Sequence, residues 1–209
     1  MKLERIAHAC FRLTLSNGKV LYFDPYKIPK GAPQADYIFA SHDHYDHLDD
    51  SSVANVIKKD TLVVVPKTCT KAINAYKANG VSPRDKLKLN DLEVEAIPAY
   101  NPNKKYHPKQ NQWVGFIISV EGKRILHAGD SDCIPEYAKI QNIDVALMPI
   151  GGTYTMDFAE GIQAASMIKP KIFVPMHEWD NDLEQFKSKM KKELPEIKVE
   201  IVESDGLTL

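Results

Sequence analysis

The chain has 209 residues, 44% hydrophobic and 26% charged, which is enough apolar material for a single domain, residues 1–209, with a substantial core. Lys plus Arg (27) nearly cancels Asp plus Glu (28), and the net charge of -1 gives no general field for nucleic acid or an anionic membrane. The amino-terminal MKLERIAHACFRLTL breaks its apolar residues with charges every few positions, so it lacks the continuous run of a signal peptide or membrane span, and the expected location is the cytoplasm.

The first forty residues alternate short apolar runs (FRLTL, VLYF, YIFA) with turn signals (SNGK, DPY, KIPKGAPQAD), a pattern that predicts a β-meander. Val53, Val56 and Ile57 predict a helix over 48–59. LVVVP at 62–66 reads as a buried strand, followed by a helix over 71–78. KLKLNDLEVEAI at 86–97 alternates on either side of Asn90-Asp91, a hairpin signal, and WVGFIISV, EGK and RILHA predict a second hairpin. From Asp130 the pattern becomes helix, strand, helix, strand. IDVALMPI (143–150) and KIFVPM (171–176) are buried strands flanking a helix that shows Phe158, Ile162, Ala165 and Ile168 on one face. A last helix carries Leu183, Phe186, Met190 and Leu194, with Asn181 and Glu184 as its expected capping box, before strands VEIVE and GLTL. Three widely spaced cysteines, Cys10, Cys69 and Cys133, form no CxxC pair and read as free buried thiols.

SHDHYDH at 41–47 concentrates three of the seven histidines in one loop. Neutral imidazole is the commonest protein ligand for transition metals, and carboxylate joins it for zinc, manganese or iron. His42 and His44, two apart after a strand, point the same way and can grip one ion. Asp46 and His47 follow where the chain turns into a helix and can hold a second. One loop cannot surround two ions. Asp130 in RILHAGD and His177 in IFVPMH stand just past two other strands and complete the set. Taken alone, each of these two reads more often as a capping or hydrogen-bonding residue than as a ligand.

The motif HxHxDH, here His42, His44, Asp46 and His47, resembles the signature of the metallo-β-lactamase superfamily. Asp130 in HAGDSD resembles its bridging aspartate and His177 in VPMHEW its last histidine. HACFRL, FDPY, IPAYN and DVALMPIGGTYTM are similar to the small metal-dependent hydrolases related to the ascorbate-phosphate lactonase and, more distantly, the phospholipase D acting on N-acyl phosphatidylethanolamines. The resemblance implies a four-layer αββα sandwich. It also implies one or two Zn2+ ions, with Mn2+ as the alternative, and hydrolysis of a small ester, lactone or phosphodiester. Asp46 is the expected catalytic residue, orienting the attacking hydroxide or shuttling its proton. Flavin-linked oxygen chemistry would put Glu at position 44.

One position departs from the pattern: Asn101 in IPAYN stands where a third histidine is expected. His107, six residues later, reads as its replacement, as a loop histidine or as a substrate contact. Asp24 in FDPY resembles the aspartate that supports the histidine loop, although Asp-Pro is also a common turn former. His8 and His127 lie in strand patterns and read as core histidines. Gly151, Gly152, Thr153 and Tyr154 either shape a pocket rim or form a turn. The basic run NKKYHPK at 103–109 suits an anionic small-molecule substrate. No nucleic-acid or membrane partner is expected, and the sequence does not specify an oligomeric state. The competing reading is a metal-dependent binding or sensor protein without turnover, which Asn101 keeps open.

Overall fold

The computed structural model describes residues 1–209, which form two compact units: residues 1–82 with 202–209, and residues 83–201. In the first unit, β1 (Lys2–Ala7), β2 (Cys10–Thr14), β3 (Val20–Phe23), β4 (Tyr37–Phe39), β5 (Leu62–Pro66), β6 (Asn79–Val81) and β14 (Leu207–Thr208) build one sheet in the order β14-β1-β2-β3-β4-β5-β6. The expected meander holds only for β1, β2 and β3. β4 runs parallel to β3, and residues 24–36 are long enough to make the crossover that parallel pairing needs. β3 and β4 are buried at every position, as two-sided parallel strands are.

Helix α1 (Asp50–Val56) is shorter than its apolar pattern suggested. Asp49 starts it by accepting the backbone N–H groups of Ser51 and Ser52, and Ile57 ends it in extended backbone. α2 (Thr70–Tyr76) ends at Lys77, whose left-handed conformation (φ 52°) closes the last turn.

In the second unit, β7 (Lys86–Leu89), β8 (Leu92–Pro98), β9 (Val114–Val120), β10 (Lys123–His127), β11 (Val145–Pro149), β12 (Ile172–Met176) and β13 (Lys198–Val199) form a second sheet, ordered β13-β12-β11-β10-β9-β8-β7. Both expected hairpins form; Glu121 and Gly122 at φ 48° and 74° supply the two left-handed residues a tight turn needs. The segment after Asp130 forms only a 3-10 helix at Pro135–Lys139 before the parallel run β11, β12, β13 begins. Helices α3 (Phe158–Ile168) and α4 (Leu183–Glu193) cover a core centred on Met148, Ile150, Phe173, Phe186 and Met190.

Two local expectations fail here. The cap of α4 is Asp182, whose carboxylate accepts from Glu184 and Gln185, while Asn181 instead donates to the Ile150 carbonyl at 2.9 Å. Of VEIVE only Val199 lies within a strand, and residues 202–209 instead join the first unit, where β14 pairs with β1. No helix is long and apolar enough to cross a membrane.

Candidate metal centre

In the first unit the histidine loop springs from the carboxyl end of β4, held on both sides by parallel neighbours, the end at which α/β sheets place ligands. Its geometry is organised by Asp24, at the end of β3. That residue is fully buried and has φ 43°, the left-handed region that Asp tolerates better than most side chains. Asp24 Oδ1 accepts the Ser41 backbone N–H at 2.7 Å, and Oδ2 accepts the Ser41 hydroxyl at 2.8 Å. The same Oδ2 lies 2.7 Å from His47 Nδ1.

An ionised carboxylate only accepts, so His47 carries its proton on Nδ1 and presents Nε2 as its ligand atom. Ser41 passes the constraint on: with its proton given to Asp24, its oxygen accepts from His42 Nδ1 at 2.9 Å. His42 therefore also presents Nε2. One carboxylate sets the tautomer of two imidazoles.

His42 Nε2 points at His44 Nδ1 at 3.0 Å, and the His42 and His47 rings lie tilted against each other with centroids 4.2 Å apart. Two ring nitrogens this close share either a proton or a cation. Asp46 is partly exposed on the same loop, and His8 Nε2 lies 3.5 Å from its Oδ2. Burial works to raise the Asp46 pKa, but the His8 contact and the charge of His47 outweigh it and hold the carboxyl below its ordinary value. His8, Asp46 and His47 bring ligand atoms within 4.8 Å of one another. His8 is thus no core histidine, whereas His127 is: fully buried, its Nδ1 accepts the Gly129 N–H at 3.3 Å.

In the second unit three separated segments deliver the donors. Asp130 follows β10 after a turn at Gly129 (φ 62°), His177 follows β12 with φ 52°, and His107 lies on the loop after β8. All three are at least 96% buried, and the two imidazoles converge on one oxygen: His107 Nε2 and His177 Nε2 lie 3.2 and 3.0 Å from Asp130 Oδ2. Asn101 supplies no imidazole. Its Oδ1 lies 2.7 Å from His107 Nδ1, with the Tyr154 carbonyl at 3.2 Å, and its backbone N–H donates to the His107 carbonyl at 2.7 Å. Both side-chain partners are acceptors, so the His107 proton sits on Nδ1 and Nε2 faces Asp130.

Lys104 straps the same loop down, donating to Asp132 Oδ1 at 2.7 Å and the Thr155 carbonyl at 2.6 Å. Burial raises the Asp132 pKa, against the pull of Lys104. Beside His177, Trp179, Tyr154 and Tyr106 form an aromatic chain with ring centroids 4.6 to 6.0 Å apart, while Tyr100 and Trp113 are buried. Gly151 has a structural reason to be glycine: a Cβ there would meet the His177 carbonyl oxygen at 2.4 Å.

The donor set is imidazole and carboxylate without thiolate. Burial pushes the Cys10 and Cys69 thiols up to about 12 and Cys133 to about 11, and all three are free. Such donors suit zinc, manganese or iron. Ser41, His8 and Lys104 escaped the sequence reading. Ser41 adjoins the motif, and its hydroxyl beside an expected supporting carboxylate was the available signal; nothing in the sequence pairs Lys104 with Asp132.

The family comparison agrees with this chemistry. The beta-lactamase superfamily domain matches residues 2–177. A UPF0173 metal-dependent hydrolase of Carboxydothermus hydrogenoformans is 30% identical over 192 residues, covering 85% of this chain and 84% of its own. A crystal structure from Parabacteroides distasonis, described as a metal-dependent hydrolase, superposes with a TM-score of 0.88 at 32% identity over 96% of this chain and 92% of that one. The metallo-β-lactamase fold protein YhfI of Bacillus subtilis, 13% identical, shares the fold with a TM-score of 0.74 over 96% of this chain and 91% of its own. The chain therefore belongs to the metallo-β-lactamase superfamily, with that α/β fold, and within it to the UPF0173 family of metal-dependent hydrolases.

Proposed function

We propose that His42, His44, Asp46 and His47 in the first unit, and His107, Asp130 and His177 in the second, are ligands for Zn2+, with one or two ions per chain, and that the protein hydrolyses a small carboxyl ester or lactone. The observation that carries the metal reading is the convergence of two Nε2 atoms on Asp130 Oδ2 with the His107 proton directed elsewhere. Buried imidazoles facing one carboxylate oxygen are arranged as ligands around a cation are. Asn101 orients His107, which takes the part of the third histidine. The superfamily match spans residues on both compact units, which supports reading 1–209 as one functional domain.

Bound zinc would supply Lewis acidity and lower the pKa of water from ~15.7 to roughly 7. Asp46, ionised and partly exposed, is the group that orients the attacking water or takes its proton. Trp179, Tyr154 and Tyr106 offer an apolar wall for the substrate's carbon skeleton. The choice of a carboxyl derivative over a phosphodiester rests on the basic run. Lys104 is committed to Asp132 and the Thr155 carbonyl, and Lys109 to Glu136 and the Tyr100 hydroxyl, so two of the run's three ammonium groups are not available to a phosphate and Lys105, over the Tyr106 ring, stands alone.

The test compares zinc-reconstituted protein on γ-butyrolactone and on bis(p-nitrophenyl) phosphate, with Asp46→Ala as the control. Lactone turnover falling about 10²- to 10⁴-fold in the variant is expected. Phosphodiester turnover alone would reverse the bond class. Turnover of neither, with zinc bound, would favour a binding protein on this fold.

A further inference from the structure

His8 sits at the corner between β1 and β2, where the strand register shifts between Arg5 and Ala7. Its φ of 51° lies in the left-handed region, where glycine is the usual residue and an imidazole carries strain. The strain is held by Arg5, whose Nε and Nη2 both donate to the His8 carbonyl, at 3.1 and 2.8 Å. A fork-shaped guanidinium on one carbonyl fixes that peptide's direction and with it the exit vector of the side chain. Strained residues over-determined by their surroundings cluster where a side chain must be aimed.

The aim is at Asp46. His8 Nε2 lies 3.5 Å from Asp46 Oδ2, with both side chains largely shielded at 13% and 16% exposure. The His8 ring stands edge-on to His47 at 5.5 Å and to Tyr26 at 6.2 Å, so neighbours on two sides limit its rotation. At 3.5 Å the contact stands at the outer limit of a hydrogen bond.

We propose that His8 is a positioning residue, aimed by the Arg5 clamp, which orients the Asp46 carboxylate toward the ion held by the histidine loop. The inference rests on the reading of Asp46 as a metal ligand, and the experiment separates the two.

Metal-free wild type, His8→Ala, His8→Gln, Arg5→Met, the His8→Ala/Arg5→Met double variant and Asp46→Ala are titrated with Co2+. The d–d absorption band reports ligand geometry, and competition with a chelator reports affinity. Far-UV circular dichroism confirms that each variant is folded. His8→Ala should weaken Co2+ binding about 10- to 100-fold and alter the band while leaving the stoichiometry unchanged. Glutamine places an amide donor near the position of Nε2, and it should recover affinity to within a few-fold. Arg5→Met should show an intermediate loss and add nothing in the double variant, because both changes break one chain of contacts.

A wild-type band and affinity in His8→Ala would overturn the proposal while Asp46→Ala still loses metal. Loss of one equivalent of Co2+ in His8→Ala would make His8 a ligand, which also overturns it. If Asp46→Ala binds Co2+ as wild type does, the metal role of Asp46 falls, and the positioning role of His8 falls with it.

Discussion

The two compact units brace their parallel strands with the same device and then part company at the opposite ends of those strands. Before β4, Asp36 accepts the Val20 N–H through Oδ2 at 2.8 Å and holds Lys58 through Oδ1 at 2.6 Å. Before β11, Asp144 accepts the Arg124 N–H through Oδ2 at 2.8 Å and holds Lys171 through Oδ1 at 2.8 Å. The backbone repeats the pattern: Asp36 and Asp144 donate to Val20 and Arg124, and accept from Leu62 and Ile172. Where the strands end, the first unit gathers its donors in one loop under one carboxylate. The second draws its donors from three segments and orients His107 with neutral carbonyl oxygens. Concentrated support is vulnerable at a single residue, and distributed support should fail by degrees.

Asp24→Ala tests the concentrated half and should have the largest effect. It removes the acceptor for two Ser41 donors and for His47, leaving buried polar groups unsatisfied, and the expected loss is about 3–5 kcal/mol in urea unfolding. Zinc affinity should fall in the same variant, because His42 and His47 lose their fixed tautomers together. A loss under about 1 kcal/mol would mean that the loop holds its shape without Asp24.

Gly151→Ala tests the distributed half. The new methyl group must displace the His177 carbonyl at 2.4 Å, which is backbone and yields poorly, so about 1–3 kcal/mol of stability should be lost. Weakened zinc binding should accompany it through His177, with the histidine loop's own contacts intact. Unchanged zinc affinity in a destabilised Gly151→Ala would show that His177 is not placed by this approach.

Smaller still is Asn101→Ala, at about 1–2 kcal/mol with roughly tenfold weaker zinc binding, since the Tyr154 carbonyl remains to receive the His107 proton. This residue also marks how far the sequence could be read. The histidine loop was legible because its donors are contiguous and their spacing carries the geometry. The pairing of Asn101 with His107 was not, because it depends on a loop closed by Lys104 onto Asp132 and Thr155, partners 28 and 51 residues away. Strands with a clear period and tight turns, such as β7 to β10, could be placed from pattern alone. The direction of β4 could not, since apolar runs do not encode whether a neighbour is parallel. His8 was misread for a related reason: a strand pattern ending in a left-handed corner turns its last side chain away from the core.

The shared brace gives the last and smallest prediction, one in which the two units should agree. Burial works to raise the pKa values of Asp36 and Asp144, but Lys58 and Lys171 and the two backbone N–H groups outweigh it, and both lie below the ordinary value of 3.8. A carboxylate whose folded pKa is depressed contributes stability in full above its unfolded value. That contribution disappears as pH falls through the folded value. Asp36→Asn and Asp144→Asn should therefore each cost about 1 kcal/mol or less in urea at pH 7, discounted for solvent screening of the partly exposed lysines. The gap to wild type should hold down to about pH 5 and narrow below 3.8. Lys171 is 77% exposed against 34% for Lys58, so salt should shrink the Asp144 effect more than the Asp36 effect. Equal salt sensitivity would place the main contribution in the backbone acceptor bonds, which the two braces share, and would make the lysines incidental to both.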